Sequence, residues 1–224
     1  MKSTDIINEL NKWIEDKGSG GYTTGVDSYT EYYSGTNPIE GIQQNEKEIK
    51  EFVEYLNDKF NGGILLEVGL GYFGSTHFIW RMIFDKVITI ENQNDRIKEF
   101  GLNTQKYYGE WILNDGKSFF IHGDSNSPNT VGDLYNLTQN EEIDIVFIDA
   151  LHTYEAVLTD WLVYSPRVKE GGIVAFHDCE KRFPHRKGVA DFLDELECGN
   201  IDGKKYKMNK IIHSEEQGIC WYIK

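Results

Sequence analysis

Acidic side chains lie at or near the ends of successive apolar segments of this sequence, where they could bind hydrogen-bond donors. Glu67 lies in the apolar segment 64–68, Glu91 ends the segment 86–91, and Asp124 follows the segment 118–122. An ionised carboxylate accepts hydrogen bonds and attracts positive charge. Three such acids predict a ligand that carries amino, hydroxyl or cationic groups.

A glycine-rich turn follows the first of these acids, with Gly69, Gly71 and Gly74 ahead of Ser75. Glycine lets a ligand approach the backbone closely, and the first amides of the next helix can bind a carboxylate or a phosphate. The spacing also matches the dinucleotide fingerprint, with Glu91 about twenty residues further on. An oxidoreductase that uses NAD therefore stays open from this turn alone.

The complete set of acids favours S-adenosylmethionine over a dinucleotide. This cofactor carries an ammonium, a sulfonium, a ribose diol and an adenine amine, which all suit carboxylates. We expect Glu67 to face the methionine end, Glu91 the ribose hydroxyls and Asp124 the adenine amine. The predicted cofactor-binding residues are Glu67, Gly69, Gly71, Ser75, Glu91, Asp124, Ser125 and Asp149.

The elements that must position these residues alternate between two hydrophobic periods. Five apolar, β-branched segments occur at 64–68, 86–91, 118–122, 143–149 and 172–178, with helical patterns between them. This alternation predicts βαβ units and a parallel sheet covered on both faces. Two further strand-like segments follow near the C-terminus, separated by turn residues 215–218. Strands that close together must pair in antiparallel fashion.

Two helices and a long irregular segment precede the first strand. Residues 4–16 have an amphipathic helical spacing, and Asn45 with Glu48 forms a capping-box pattern at the start of a second helix. The stretch 18–44 is rich in Gly, Tyr, Ser and Thr, which is typical of a lid. We therefore divide the chain into an N-terminal helix and lid, 1–45, and a main domain, 46–224.

From about residue 40 the chain resembles the class I methyltransferases, in particular the bacterial group of cephalosporin-hydroxylase-like and macrolide-sugar O-methyltransferases. The motifs that carry the resemblance are LEVGLGYFGST, the GDS after the third strand, FIDALHTYEAVLTDW, GGIVAFHD and the final hairpin. The resemblance implies a doubly wound, Rossmann-like α/β fold. Its sheet would have seven strands in the order 3-2-1-4-5-7-6, with the last hairpin antiparallel.

The same resemblance implies a catalytic group at the ends of the fourth and fifth strands. In that family an Asp after the fourth strand and an acid after the fifth bind a divalent metal, and a His is the proposed base; these positions are Asp149, Asp178 and His152. Two facing carboxylates repel each other unless a cation or a proton lies between them. His177 occupies the position of a further acidic ligand, so we predict Asp149, His177 and Asp178 as ligands that favour Mn or Fe over Mg.

Five other residues receive minor assignments. Tyr154 is expected to pack rather than to touch a substrate, Asp160 to lie on a helix surface, and Trp161 to lie in the core. Gln43 and Gln44 are candidates because the family's N-terminal segment reaches the cofactor.

Composition limits the partners and the compartment. The net charge of −14 disfavours nucleic acid, and the longest apolar runs, about six residues, are too short for a membrane span. The three cysteines show no CxxC spacing and fit neither a disulfide framework nor a thiolate zinc site, which favours a reducing cytoplasm.

The sequence therefore predicts S-adenosylmethionine-dependent methyl transfer to a hydroxyl oxygen of a small molecule, such as a sugar or a secondary metabolite. Assistance by a divalent metal and assembly into a homo-oligomer are left open. The alternatives are an NAD-dependent oxidoreductase and a noncatalytic binding module that keeps the fold.

Overall fold

The structure, a computed structural model, describes residues 2–16, 44–71, 74–109, 111–180, 187–213 and 217–224. Its helices are α1 Ser3–Asp16, α2 Glu46–Lys59, α3 Ser75–Ile83, α4 Asn94–Tyr108, α5 Pro128–Thr138, α6 Tyr154–Tyr164 and α7 Lys187–Cys198, and a 3-10 turn spans Ser165–Arg167. Its strands are β1 Ile64–Val68, β2 Lys86–Glu91, β3 Ser118–His122, β4 Ile143–Ile148, β5 Val168–His177, β6 Asn209–Ile211 and β7 Ile219–Ile223. The predicted lid lies largely outside the described residues, which omit 17–43.

All seven strands form a single sheet in the order β3-β2-β1-β4-β5-β7-β6. Strands β1 to β5 pair in parallel, whereas β7 pairs in antiparallel fashion with both β5 and β6. The predicted strand order and the antiparallel final hairpin are therefore confirmed. Every residue of β1 and β4 is buried, as expected for central parallel strands with helices on both faces.

Alternate residues of each strand divide the core into two layers. In β4, Ile145 and Phe147 pack with Phe52 of α2 and Trp80 of α3 on one face. Val146 and Ile148 pack on the opposite face with a cluster that includes Trp161 of α6. The period of two along the strand sends neighbouring side chains to opposite faces. Trp161 is in the core, as predicted.

Helix α1 joins the first of these layers. Ile6 is fully buried in the cluster that contains Ile49 and Phe52 of α2 and Ile79 of α3. No helix in the described part of the chain has the length and apolar character needed to cross a membrane.

Helix α2 begins at the predicted cap and also supports the final hairpin. The side chain of Asn45 accepts hydrogen bonds from the N–H groups of Lys47 and Glu48. The fully buried carboxylate of Glu48 accepts from the N–H groups of His213, at 2.7 Å, and Gly218, at 2.9 Å. This acid thereby connects α2 to the two ends of the turn between β6 and β7.

The expectation that the cysteines form no disulfide is wrong for Cys179 and Cys220, which are bonded to each other. The antiparallel pairing of β7 with β5 places Cys220 opposite Phe176 and brings its Cα within 6.2 Å of the Cα of Cys179. The sequence separation of 41 residues contains no local signal of this contact. Cys198 is free and exposed.

We predict that Glu48→Gln lowers the free energy of unfolding by about 2 kcal/mol, because two charge-assisted hydrogen bonds weaken and an amide donor enters a buried position between backbone donors. Urea unfolding followed by tryptophan fluorescence would measure the change. Glu54→Gln removes an exposed carboxylate from the same helix and is the matched control. Equal stability of the two variants would contradict this role of Glu48.

Candidate active site

The carboxyl ends of β1, β2, β4 and β5 meet at one edge of the sheet, where four polar residues share a face. In β1 the side chain of Glu67 lies on the same face of the sheet as that of Leu65, and in β2 Glu91 lies on the same face as Val87. Leu65 and Val87 pack against the layer that contains α2 and α3. By the same period of two, the side chains of Asp149, directly after β4, and His177, at the end of β5, lie on this face as well. The parallel strands therefore direct these polar side chains toward the layer that contains α2 and α3.

Asp149 lies between Gln44, which precedes the N-cap of α2, and the buried imidazole of His177. Its Oδ2 accepts a 2.9 Å hydrogen bond from Nε2 of Gln44, and its Oδ1 lies 3.2 Å from Nδ1 of His177. Gln44 is buried at the start of α2, and its Oε1 has no hydrogen-bond partner among the described residues. The minor candidate Gln44 is thus in direct contact with a predicted catalytic residue.

His152 and Asp178 form a second pair beside the first. Nε2 of His152 lies 2.7 Å from Oδ2 of Asp178, and Nδ1 of His177 lies 3.4 Å from the same oxygen. Asp178 has a left-handed backbone with φ of +58°, which is uncommon for a residue with a side chain. His177 therefore lies between the two carboxylates, and His152 contacts one of them.

The charges of this group compensate one another. Burial lowers the pKa of His177, but the nearby Asp149 and Asp178 carboxylates outweigh it and raise that pKa to about 10. Burial raises the pKa of Asp178, but the positive charge of His177 and the hydrogen bonds from both imidazoles hold it well below its usual value. The two acids therefore favour the protonated form of the His177 imidazole that lies between them.

Three side chains could bind a metal ion together. One oxygen of Asp149, one oxygen of Asp178 and one nitrogen of His152 lie within 4.8 Å of one another. Two carboxylates and an imidazole suit several divalent ions. The structure brings the two predicted acids together, and the third member of this set is His152, whereas the predicted ligand His177 is not part of it.

The glycine turn after β1 is held against this group. Gly69 and Gly71 have φ of +97° and +67°, which L side chains rarely adopt. A Cβ at Gly69 would collide with the carbonyl oxygen of Asp149. The N–H of Leu70 donates a 3.1 Å hydrogen bond to Oε2 of Glu91. Only a residue without a side chain lets the turn approach Asp149 in this way.

Glu67 lies in the protein interior beneath this turn. Its fully buried carboxylate accepts hydrogen bonds from Nε1 of Trp80, at 2.9 Å, and the hydroxyl of Thr89, at 2.7 Å. Burial raises its pKa to about 7. These contacts connect β1 to α3 and β2.

Glu91, the last residue of β2, and Asp124, in the loop after β3, lie at the same edge. Both oxygens of Glu91 accept backbone hydrogen bonds, from Leu70 and Gln93, and its main-chain carbonyl accepts from the N–H of Gly123 at 3.1 Å. The carboxylate of Asp124 is exposed and accepts from the N–H of Asn126. The end of β2 is therefore in direct contact with the loop after β3 that carries Asp124.

Ser75, Ser125 and Tyr154 are the remaining residues with a predicted role. Ser75 is buried at the first position of α3, and the carbonyl oxygen of Ser125 accepts a hydrogen bond from the hydroxyl of Tyr164. The ring of Tyr154 packs against Phe192, as expected for a packing residue.

Asp160 differs from its prediction, because α6 buries it rather than placing it on the surface. The sequence could not show this position, since the burial depends on the loop after β3 that covers this turn of the helix.

The comparisons with known proteins agree with this geometry. Residues 66–179 match a family model described as a methyltransferase domain. A search of curated proteins finds no match.

Solved structures share the fold at low sequence identity. An O-methyltransferase from Bacillus cereus in complex with SAH has 13% identity and a TM-score of 0.58, over 88% of this chain and 89% of that one. The O-methyltransferase TomG from Streptomyces achromogenes, involved in tomaymycin synthesis and in complex with SAM, has 11% identity and a TM-score of 0.57, over 88% and 87%. An rRNA methylase from Streptococcus thermophilus has 13% identity and a TM-score of 0.57, over 82% and 99%.

The family match spans half of the chain and includes the glycine turn and the strand ends that carry Asp149 and Asp178. The chain therefore belongs to the methyltransferase-domain family and has the fold of the class I, S-adenosylmethionine-dependent methyltransferases.

Proposed function

We propose that this protein transfers a methyl group from S-adenosylmethionine to a hydroxyl oxygen of a small molecule, such as a sugar or a secondary metabolite. The observation that carries the proposal is the contact between His152 and Asp178, 2.7 Å apart, beside Asp149 and the glycine turn. His152 would be the proton acceptor, and the glycine turn would let the cofactor approach the backbone beside it.

The cofactor would bind along the edge from Asp149 to Asp124. Gly69 and Gly71 would leave the backbone open to the methionine end, Glu91 would accept from the ribose hydroxyls, and the exposed Asp124 would accept from the adenine amine. Glu67, with Ser75 at the start of α3, would support the turn from within. Family membership favours this cofactor over NAD.

His152 has the geometry of a general base. Because ionised Asp178 can only accept, Nε2 of His152 carries the proton between them, and the lone pair of the imidazole is on Nδ1. The ring is partly exposed, with 27% of its side-chain surface accessible. Nδ1 can therefore take the proton of an acceptor hydroxyl while the oxygen attacks the methyl group.

Asp149 and Asp178 would hold a divalent metal, with His177 or His152 as a third ligand. Bound there, a divalent ion such as Mg, Mn or Fe would lower the pKa of an acceptor hydroxyl. His152 cannot give the same nitrogen to a metal and to Asp178, and His177 could bind a metal through Nδ1 only after losing the proton that faces both carboxylates.

A small acceptor suits the charge of the protein better than a polyanion does. The net charge of −14 opposes nucleic acid, although an rRNA methylase is among the structures that share the fold. Acceptor choice would depend on the loops after the strands and on residues 17–43.

Cytoplasmic location and homo-oligomer formation stay predictions. The disulfide removes the argument for a reducing compartment that was based on the cysteines.

We predict that the protein binds S-adenosylhomocysteine in isothermal titration and that Gly69→Ala weakens binding at least tenfold, because a Cβ at φ of +97° displaces the turn from Asp149. Gly132→Ala is the matched control, since a Cβ there meets open space in helix α5. Tight binding of NAD without binding of S-adenosylhomocysteine would support the oxidoreductase instead.

We predict that His152→Gln lowers kcat by about 10²- to 10⁴-fold with a panel of hydroxylated acceptors, because the general base is lost. Its affinity for S-adenosylhomocysteine should stay within about threefold of the wild type, which is well under 1 kcal/mol. His213→Gln is the control, since His213 contacts Glu51 at the surface. Wild-type turnover in the His152 variant would disprove the base role, and no turnover in any wild-type assay would favour the noncatalytic alternative.

We predict that Mn²⁺ binds the wild type and that Asp149→Asn weakens its binding about tenfold or more, because one anionic ligand is lost. Titration with Mn²⁺ alone measures this effect without an acceptor. Comparison of His177→Gln with His152→Gln identifies the third ligand. Unchanged Mn²⁺ affinity in Asp149→Asn would contradict a metal site at this position.

A further inference from the structure

Asp160 is a buried carboxyl group that the proposed reaction does not use. It lies on α6 with 2% of its surface exposed, and its Oδ1 has no hydrogen-bond partner among the described residues. Burial of a carboxyl group is costly unless other groups satisfy it. An apolar residue would fill the same position at lower cost, so the acid indicates a specific contact.

That contact is with the loop after β3. The side chain of Ser125 faces the carboxyl group of Asp160 and opposes the rise in its pKa, and the hydroxyl of Tyr164 donates to the carbonyl oxygen of Ser125. Residues four apart on a helix lie on the same face. One face of α6 thus contacts the loop, with Tyr164 bonded to the main chain of Ser125 and Asp160 facing its side chain.

The position of Ser125 determines the direction of its neighbour, Asp124. Within this turn Oδ1 of Asp124 accepts from the N–H of Asn126, at 3.0 Å, and its carbonyl oxygen accepts from the N–H of Ser127, at 2.9 Å. Burial raises the pKa of Asp160 to about 6, and the negative charge of Asp124 adds to this increase. The two acids therefore lie near each other, one buried behind the loop and one exposed in front of it.

We infer that Asp160 and Tyr164 are positioning residues that hold the loop from Gly123 to Ser125 in the conformation that binds the adenosine end of the cofactor. Both act through Ser125. The inference rests on the proposed function, which assigns Asp124 and Ser125 to the adenine.

Isothermal titration of S-adenosylhomocysteine and of adenosine tests the inference without a methyl acceptor. Asp160→Leu, which replaces the two acceptor oxygens by methyl groups on the same branched skeleton, is expected to weaken binding of both ligands about tenfold. Asp160→Asn keeps one acceptor oxygen for Ser125 and should remain within about threefold of the wild type. Tyr164→Phe should weaken binding about fivefold.

Hydrogen exchange provides a readout that needs no ligand. The amides of residues 123–127 should exchange faster in Asp160→Leu and in Tyr164→Phe, while those of the strands keep wild-type rates. Glu155→Gln changes an exposed carboxyl group on the same helix and is the matched control. If Asp160→Leu does not fold, Tyr164→Phe decides the test alone.

Two failures can be told apart. A wild-type protein that does not bind S-adenosylhomocysteine overturns the proposed function and, with it, the cofactor role of the loop. A wild type that binds, with Asp160→Leu and Tyr164→Phe binding equally well and exchanging at the wild-type rate, overturns the inference and leaves the proposed function intact.

Discussion

The structure of the site depends on how two neighbouring carboxylates are neutralised. Asp149 and Asp178 each lie within 3.4 Å of the same nitrogen of His177. Like charges this close in a poorly solvated position are unfavourable without a positive partner. His177 provides that partner, and the attraction of the two acids raises its pKa. The same negative charge that stabilises the imidazolium would attract a divalent cation, so the group is suited to either.

The sheet creates this proximity. Register pairs Ile148 with Phe176, so that the residues after β4 and β5 emerge side by side. The antiparallel strand β7 supports the end of β5, where the disulfide joins Cys220 to the residue after Asp178. The left-handed backbone of Asp178 then turns its carboxylate toward His152. The strand register, the disulfide and the left-handed backbone involve different parts of the chain, and together they determine the position of Asp178.

Features that follow strand periodicity could be predicted from the sequence, and features that depend on contacts between loops could not. The acids after β-branched segments predicted which side chains gather at the sheet edge, because parallel strands end together. The strand order came from the family resemblance. In contrast, the bond between Cys179 and Cys220 depends on the register of β7, and the burial of Asp160 depends on the loop that covers α6. Local patterns contain neither relation.

Two buried acids of the site, Asp178 and Glu67, illustrate how much the site depends on incoming positive charge. Asp178 has imidazole partners and a lowered pKa, whereas Glu67 has only neutral donors and a pKa raised to about 7. The carboxyl group of Glu67 is therefore harder to ionise than an exposed one. A cationic cofactor bound near the turn would favour the ionised form of Glu67, and a metal would add to the charge that His177 supplies. Binding and ionisation at this edge should consequently reinforce each other, because each added positive charge stabilises carboxylates that the protein alone only partly neutralises.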